Sequence, residues 1–196
     1  MVTIKPVNLK DSPNAHLPGE AGVWVFIFGD MLAFAVFFVT FTIARGGDPD
    51  LFNTSARELE VTFGVVNTLL LLSSSWFVAT AVRAVRAGER MLASRLLGGA
   101  IACGLGFVGS KAVEWSAKVD SDITPTTNVF FTYYFTFTGI HLLHLLLGLL
   151  GLVIMLRVVR RPPRPSNQLV LEAGATFWHM VDLLWIVLFP LLYLMR

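Results

Sequence analysis

Two pairs of side chains that can bind metals stand three residues apart in the C-terminal third of the sequence. His141 and His144 form one pair, and His179 and Asp182 form the other. Side chains three apart share one face of a helix, so two facing pairs could bind a transition metal. One histidine from each helix could instead ligate a haem. Histidine also titrates near neutral pH, which makes a proton relay a third interpretation.

Further ionisable residues lie within apolar segments. Asp30 lies in the first of these segments, Lys111 and Glu114 lie in the third, and Glu172 begins the last. A charged side chain at the bilayer centre costs on the order of 2.5–3.5 kcal/mol, and protonation or pairing lowers that cost. Lys111 and Glu114 are three residues apart and can neutralise each other. The sequence predicts a buried polar network that holds the helices in register, with a proton relay on the same groups as the alternative. Its members are Asp30, Glu114, His141, His144, Glu172, His179 and Asp182.

The apolar segments predict an all-α integral membrane protein. The chain has 196 residues, of which 55% are hydrophobic and 14% are charged. About 20 apolar residues are needed for a helix to cross the hydrocarbon of a bilayer, and five segments reach that length. We predict an irregular cytoplasmic tail at 1–20 and a single five-helix membrane domain at 21–196. The predicted helices are 21–44, 61–83, 94–117, 128–156 and 171–195.

The distribution of basic residues predicts the orientation. The N-terminal tail and the second and fourth loops together hold ten Lys and Arg residues, whereas the other side holds four. Basic residues are enriched in cytoplasmic loops. We therefore predict a multi-pass membrane protein with a cytoplasmic N-terminus and an external C-terminus. The basic residues relate to topology and do not indicate nucleic-acid binding.

Several classes of site are excluded by residue counts. Cys103 is the only cysteine, which excludes an internal disulfide and a cysteine-ligated iron–sulfur cluster. Three histidines at membrane depth cannot supply both a haem pair and a three-histidine copper site, so the chain is not the catalytic subunit of a terminal oxidase. No ExxH pair occurs, so the usual di-iron bundle signature is missing. Ser73, Ser74 and Ser75 are interpreted as packing and hydrogen-bonding groups rather than nucleophiles.

Local patterns predict packing and breaks. Small residues four apart, Gly98, Ala102, Gly106 and Ser110, predict a packed face on the third helix. A stripe of Thr138, His141, Gly148 and Gly151 predicts the same on the fourth helix. The prolines of RRPPRPSNQ at 160–168 predict a non-helical loop, and Pro190 predicts a bend. The first loop spans residues 45–60, and its end is a candidate for a short helix that leads into the second span.

Four segments resemble subunit III of the haem–copper oxidases. They are VVNTLLLLSSSWFVATA at 65–81, KAVEW at 111–115, TGIHLLH at 138–144 and EAGATFWHMVDLLWI at 172–186. The last two are specific, because unrelated membrane helices seldom share their polar spacing. The resemblance covers about residues 20–195 and is closest to a short, five-helix form that lacks the first two helices of the seven-helix subunit. The sequence GEAGVW…FGDM in the first helix has Asp30 where oxidases usually have glutamate. This motif is most similar to NorE-type accessory proteins of nitric oxide reductase.

The resemblance implies a supporting role without a cofactor of its own. Subunit III carries no haem, copper or catalytic residue; it packs beside the catalytic subunit, holds phospholipid in a cleft and helps to sustain proton uptake. Its buried acid corresponds to Asp30, its helix-three glutamate to Glu114, its paired histidines to His141 and His144, and its final motif to Glu172, His179 and Asp182. Two departures stand out: the missing helices remove one wall of the lipid cleft, and Lys111 replaces a residue expected to be neutral.

The sequence thus predicts a non-catalytic subunit of a respiratory-chain complex. Its partners would be the catalytic haem–copper subunit, other subunits and membrane lipids. The complex would be a nitric oxide reductase, in denitrification, or a cytochrome c oxidase, in aerobic electron transport. The alternatives are an independent membrane redox or metal- or haem-binding protein that uses the intramembrane histidines, and a proton-conducting membrane protein.

Overall fold

The computed structural model describes residues 21–162 and 166–195, and the elements within these ranges are helices. Five of them are long and apolar enough to cross a membrane, so the all-helical, five-span prediction is confirmed. The side of the membrane on which each end lies stays a prediction, and the tail 1–20 falls outside the described residues. The elements are α1 (Ala21–Gly47), α2 (Pro49–Arg57), α3 (Val61–Arg86), α4 (Arg90–Asp120), α5 (Val129–Arg160), α6 (Ser166–Phe189) and a π-helical turn (Pro190–Leu194).

The predicted helix bounds are too narrow for four spans, and the predicted last span starts five residues after the observed start at Ser166. The segment 94–117 is part of a 31-residue helix and 128–156 is part of a 32-residue helix. At 1.5 Å per residue α5 is about 48 Å long, whereas the hydrocarbon is about 30 Å thick. The ends of an apolar segment mark the boundary of the hydrocarbon, whereas the helix itself continues beyond that boundary. Likewise 21–44 extends to Gly47, 61–83 extends to Arg86, and the α-helical part of 171–195 runs from Ser166 to Phe189.

The start of α6 corrects the prediction for the proline-rich loop. Ser166, Asn167 and Gln168 are helical, although RRPPRPSNQ was predicted to be non-helical throughout. A proline restricts its own φ angle and the residue before it, but it leaves the following residues free. A helix can therefore start directly after Pro165.

Side-chain caps start two of the helices. Asp48 accepts a hydrogen bond from the Leu51 amide at 3.1 Å, and Pro49 occupies the first helical position, where its missing N–H is harmless. This cap places α2 earlier in the first loop than the predicted position at its end. Asn128 caps α5 by accepting from the Phe131 amide at 2.9 Å, and its own amide donates to Ser55 Oγ at 2.9 Å. Asn128 thereby ties the start of α5 to α2.

Four helices form a ring and α1 lies outside it. Helix α3 packs against α4, α4 against α5, α5 against α6, and α6 against α3. A tight turn joins α3 to α4, in which Gly88 has a φ of +83°, a value that glycine adopts at little cost. Helix α1 packs through Phe37 and Phe41 on the Phe137 ring of α5. Only 17% of its apolar window is buried, against 50% for α6, so α1 is the peripheral span.

The packed small residues differ in part from the predicted ones. Gly98, Ala102 and Gly106 are exposed, and the space beside Gly98 is open, whereas a Cβ on Gly106 would lie 3.4 Å from Leu70 of α3. Most of the predicted α4 face therefore does not pack against the other helices of this chain. The buried residues of α4 instead include Ala93, Leu97, Ala100 and Gly104. On α5, Thr138, His141 and Gly148 are buried as predicted, whereas Gly151 faces open space. A four-residue spacing fixes a helix face but not its direction, which neighbouring helices decide.

Two glycines make room for the Trp178 indole in the core. A Cβ on Gly104 would lie 3.0 Å from the Trp178 ring and 2.7 Å from Leu149, and a Cβ on Gly148 would lie 2.8 Å from the same indole. Trp178 is 1% exposed. The close approach of α4, α5 and α6 therefore depends on both glycines.

Gly148→Ala is expected to destabilise the protein by about 1–2 kcal/mol, because overpacking against a buried ring outweighs the gain in helix propensity. The matched control is Gly151→Ala, on the same helix, where a Cβ meets nothing within 4 Å. That variant should be neutral or slightly stabilised. Thermal unfolding of the two full-length variants in one detergent measures the difference, and equal midpoints would contradict the packing described.

Candidate functional site: buried polar clusters

Lys111 and Glu114 form an ion pair inside the bundle, enclosed by two tyrosines. Lys111 Nζ donates to Glu114 Oε2 at 2.8 Å and to the hydroxyls of Tyr193 at 2.7 Å and Tyr134 at 3.4 Å. Both hydroxyls donate to Glu114 Oε1, Tyr134 at 2.7 Å and Tyr193 at 2.6 Å. Lys111 is 0% exposed and Glu114 is 2% exposed. The ammonium has three acceptors and both carboxylate oxygens have donors, so the cluster is closed.

Aromatic rings complete the surroundings of the Lys111 ammonium. Its Nζ lies 5.1 Å, 5.2 Å and 5.4 Å from the ring centroids of Tyr134, Trp185 and Tyr193, within the range of cation–π attraction. Tyr193 belongs to the π-helical turn that starts at Pro190, where the sequence predicts a bend. There the Met195 amide bonds to the Pro190 carbonyl five residues earlier. A π turn changes the side-chain rotation of a helix, and in this turn the Tyr193 hydroxyl reaches Lys111.

Asp30 and His144 join the peripheral helix α1 to α5. His144 Nδ1 lies 2.8 Å from the Ile140 carbonyl oxygen, which can only accept, so Nδ1 carries a hydrogen. His144 Nε2 lies 3.1 Å from Asp30 Oδ1. A hydrogen bond between these two atoms requires one shared proton, either on the imidazole or on the carboxyl group. Both forms are net neutral, which is the arrangement that costs least at membrane depth.

The His179 imidazole pairs with a serine across the interface between α3 and α6. Ser75 Oγ lies 2.5 Å from His179 Nδ1, and the same hydroxyl interacts with the Asp182 carboxyl group. Asp182 is 6% exposed. The neighbouring Ser74 donates to the Ala100 carbonyl of α4 at 2.9 Å. Both serines therefore act as hydrogen-bonding groups between helices, which agrees with the interpretation of the serine run.

His141 lies among aromatic rings. Its ring centroid is 5.5 Å from that of Phe107 and 5.2 Å from that of Trp185, and the side chain is 0% exposed. Neither ring nitrogen has a hydrogen-bond partner among the described residues. His141 thus packs as a buried ring and does not bond directly to His144, although both lie on α5.

Glu172 lies at the end of the bundle and pairs with Arg86. Its Oε1 is 3.1 Å from Arg86 Nη2, and the side chains are 25% and 57% exposed, respectively. The pair lines a cavity of about 370 Å³ between the C-terminal end of α3 and the start of α6. Because the pair is open to solvent, it contributes at most about 1 kcal/mol.

The seven predicted residues therefore separate into pairs and clusters. Glu114 lies with Lys111, Asp30 with His144, His179 and Asp182 with Ser75, and Glu172 with Arg86. The histidine pairs predicted to face each other have different partners. Over residues 21–162 and 166–195, no three His, Cys, Asp or Glu side chains are grouped so that they could hold a metal ion. The metal interpretation receives no support from this geometry, and a proton-carrying role of the groups stays a prediction.

Sequence reasoning missed Tyr134, Tyr193 and Arg86. Tyr134 stands seven residues before His141 on α5, which places both on one helix face, so its position was available from the spacing. Tyr193 follows Pro190, where the α-helical periodicity ends, and spacing could not place it. Arg86 pairs with a residue 86 positions later, and no local pattern contains such a contact.

Comparison with known proteins gives consistent results. The sequence profile described as Cytochrome c oxidase subunit III matches residues 17–196. Cytochrome c oxidase subunit 3 of Synechocystis sp. is 30% identical, over 94% of this chain and 84% of that protein. Cytochrome bo(3) ubiquinol oxidase subunit 3 of Pseudomonas aeruginosa is 29% identical, over 94% and 90%. Quinol oxidase subunit 3 of Bacillus subtilis is 29% identical, over 89% and 85%.

These matches cover all five spans, and they confirm the predicted family. The finer resemblance to NorE-type proteins is not tested by them and stays a prediction. The profile match spans nearly the whole chain, and the chain covers most of the length of its relatives. The chain therefore belongs to the cytochrome c oxidase subunit III family.

Proposed function

We propose that this chain is an accessory subunit that packs beside the catalytic subunit of a bacterial haem–copper complex in the inner membrane and stabilises it. Membership of the subunit III family over residues 17–196 carries the proposal. The buried clusters support it. Lys111 and Glu114 are saturated by each other and by their tyrosine partners, and Asp30 Oδ1 pairs with His144 Nε2. Such groups fix the mutual positions of helices, as a supporting subunit requires.

For the partner we propose a nitric oxide reductase. The motif GEAGVW…FGDM, with Asp30 as the acid of the first helix, supports this assignment. The relatives named above are subunits of cytochrome c and quinol oxidases, so an oxygen-reducing oxidase is the second candidate. The proposal also includes bound phospholipid and support of proton uptake by Asp30 and His144, the pair that shares a single proton.

Affinity purification of the full-length chain from native membranes in mild detergent is expected to recover a haem–copper catalytic subunit. Mass spectrometry identifies that subunit as a nitric oxide reductase or an oxidase, and cells grown with nitrate without oxygen and cells grown in air are compared. Recovery only of oxidase subunits under both conditions would refute the nitric oxide reductase assignment. A chain that purifies alone and carries stoichiometric haem or metal, by its Soret band or by elemental analysis, would overturn the accessory role.

A further inference from the structure

The seam between α3 and α6 carries polar side chains at the middle of the membrane. Ser75 of α3 and His179 of α6 are partly exposed there and contact each other. Each lies near the midpoint of its span, Val61–Arg86 and Asn167–Leu194, respectively. Acyl chains offer no hydrogen-bond partner at this depth, and ionisable side chains within spanning helices are costly unless they face protein or a water-filled cavity. The outer side of this seam is therefore expected to be covered by protein.

His179 belongs to the outward face of α6. Leu183 and Ile186 follow it by four and seven residues, a spacing that places all three on one helix face. The two apolar side chains are 47% and 43% exposed, respectively. His179 thus interrupts an apolar surface that points away from the other helices of this chain.

The seam leaves hydrogen-bonding capacity unused. His179 Nδ1 lies 2.5 Å from Ser75 Oγ, and His179 makes no second hydrogen bond within the described part of the chain. The Oδ1 atom of Asp182, a side chain that is 6% exposed, is buried and has no partner among residues 21–162 and 166–195. His179 Nε2 is therefore available to a group from outside this chain.

Helix α3 adds an exposed tryptophan at the same depth. Trp76 directly follows Ser75 and is 63% exposed, and Leu72, one turn earlier on the same face, is 43% exposed. Tryptophans of membrane helices concentrate at the two membrane–water interfaces, whereas Trp76 lies near the midpoint of its span. Tryptophan is also among the residues that contribute most to binding at protein interfaces. An indole at this position is better explained by a protein contact than by lipid.

We propose that a transmembrane helix of the catalytic subunit packs on this outer α3–α6 surface and places a hydroxyl or amide side chain opposite His179 Nε2. The surface consists of Leu72, Trp76, His179, Leu183 and Ile186. A hydroxyl or an amide can donate or accept, so it matches either tautomer of the imidazole, and it avoids a further charge at membrane depth. The inference rests on the proposed function, to which it adds the contact surface.

The outer face of α4 lacks these features. At the same depth it exposes only small and apolar residues, among them Ala102, Leu105 and Gly106. Hydrocarbon can cover such a face without leaving a polar group unpaired. The two faces therefore make opposite predictions about contact with the catalytic subunit.

Photo-crosslinking of the full-length chain in native membranes tests the surface. The photoreactive residue p-benzoylphenylalanine replaces Leu183 or Leu72, and in the matched control it replaces Leu105, which is 57% exposed near the midpoint of α4. Because α4 lies across the ring from α6, the control samples the opposite face at the same depth. Mass spectrometry of the crosslinked products is expected to identify the catalytic subunit from Leu183 and from Leu72 but not from Leu105.

Three results would overturn the inference and leave the proposed function in place, as long as the catalytic subunit co-purifies. They are equal crosslinking to that subunit from Leu105, crosslinks from Leu183 and Leu72 only to a second copy of this chain, and adducts of lipid alone at both positions. If the wild-type chain recovers no catalytic subunit, the proposed function itself is refuted and the inference is refuted with it.

His179→Leu tests the hydrogen bond to the partner. A histidine that faced only lipid would gain from this change, because leucine is favourable at the bilayer centre. At a protein contact, the amount of catalytic subunit recovered per amount of this chain should instead fall roughly fivefold or more, the equivalent of one interhelical hydrogen bond in a membrane. The matched control, Ser75→Ala, removes the same internal bond but keeps the imidazole, and its recovery should stay close to that of the wild type. Equal losses in the two variants, or unchanged recovery with His179→Leu, would overturn the contact.

Discussion

Replacing Lys111 by methionine is expected to destabilise the protein by about 3–5 kcal/mol, the cost of leaving one member of a buried ion pair uncompensated. Glu114 Oε1 would keep the hydroxyls of Tyr134 and Tyr193, but Oε2 would lose the Lys111 ammonium. Glu114→Gln alone should cost a similar amount, because the Lys111 ammonium would then be buried without a counter-charge. Unfolding of the full-length variants in a mixed-detergent titration measures the loss.

The double variant Lys111→Met/Glu114→Gln is the decisive comparison. It removes both charges while the glutamine oxygen still accepts from the tyrosines, so it should be more stable than either single variant. If the losses of the two single variants simply add in the double variant, the ion pair does not couple the two residues, and the closed cluster described here is wrong. Recovery would show that the ion pair adds little net stability once both charges are absent.

Asp30→Leu is expected to cost about 3 kcal/mol and to loosen α1, since His144 Nε2 would lose its partner at membrane depth. The matched variant Asp30→Asn should retain most of the stability, because an amide can donate to neutral His144. Asp30→Leu/His144→Leu removes both groups and should again exceed Asp30→Leu in stability. The same unfolding titration provides all three values, and equal stability of the leucine and asparagine variants would contradict the pairing.

The Asp30 variants also separate a structural role from a proton role. Asp30→Asn keeps the contact but cannot share a proton as the carboxyl group does. If the complex that co-purifies with this variant forms in normal yield and turns over more slowly, Asp30 supports proton uptake. Normal yield with normal turnover would assign Asp30 and His144 to the attachment of α1 alone.

The spans could be read from the sequence because apolar length is a local property that a bilayer enforces. The Lys111–Glu114 contact was also predictable, since it requires only helical spacing. The pairing of Asp30 with His144 was one of several options, because a side chain near the midplane has a known depth but an unknown partner. Depth comes from position along one helix, whereas a partner depends on how two helices rotate against each other.

The remaining differences arise from backbone irregularity and from long-range packing. Tyr193 reaches Lys111 within a π turn at Pro190, and an α-helical wheel misplaces every residue after that turn. Gly104 meets Trp178, while Gly98 and Gly106 on the same helix are exposed. Nothing in the small-residue pattern of α4 indicates where a tryptophan 74 positions later will insert.

The position of α1 outside the ring has a consequence for synthesis. Its pairing residue His144 lies 114 positions after Asp30 in the chain, and the ribosome adds about 5–20 residues per second. Asp30 therefore waits roughly 6 to 23 s in the nascent protein before its partner exists. During this interval α1 must stay in the bilayer through its own apolar character, a mean hydropathy of 2.1. Helix α1 can thus dock on α5 only after α5 has been made, and faults in membrane insertion should leave α1 detached from an otherwise assembled ring.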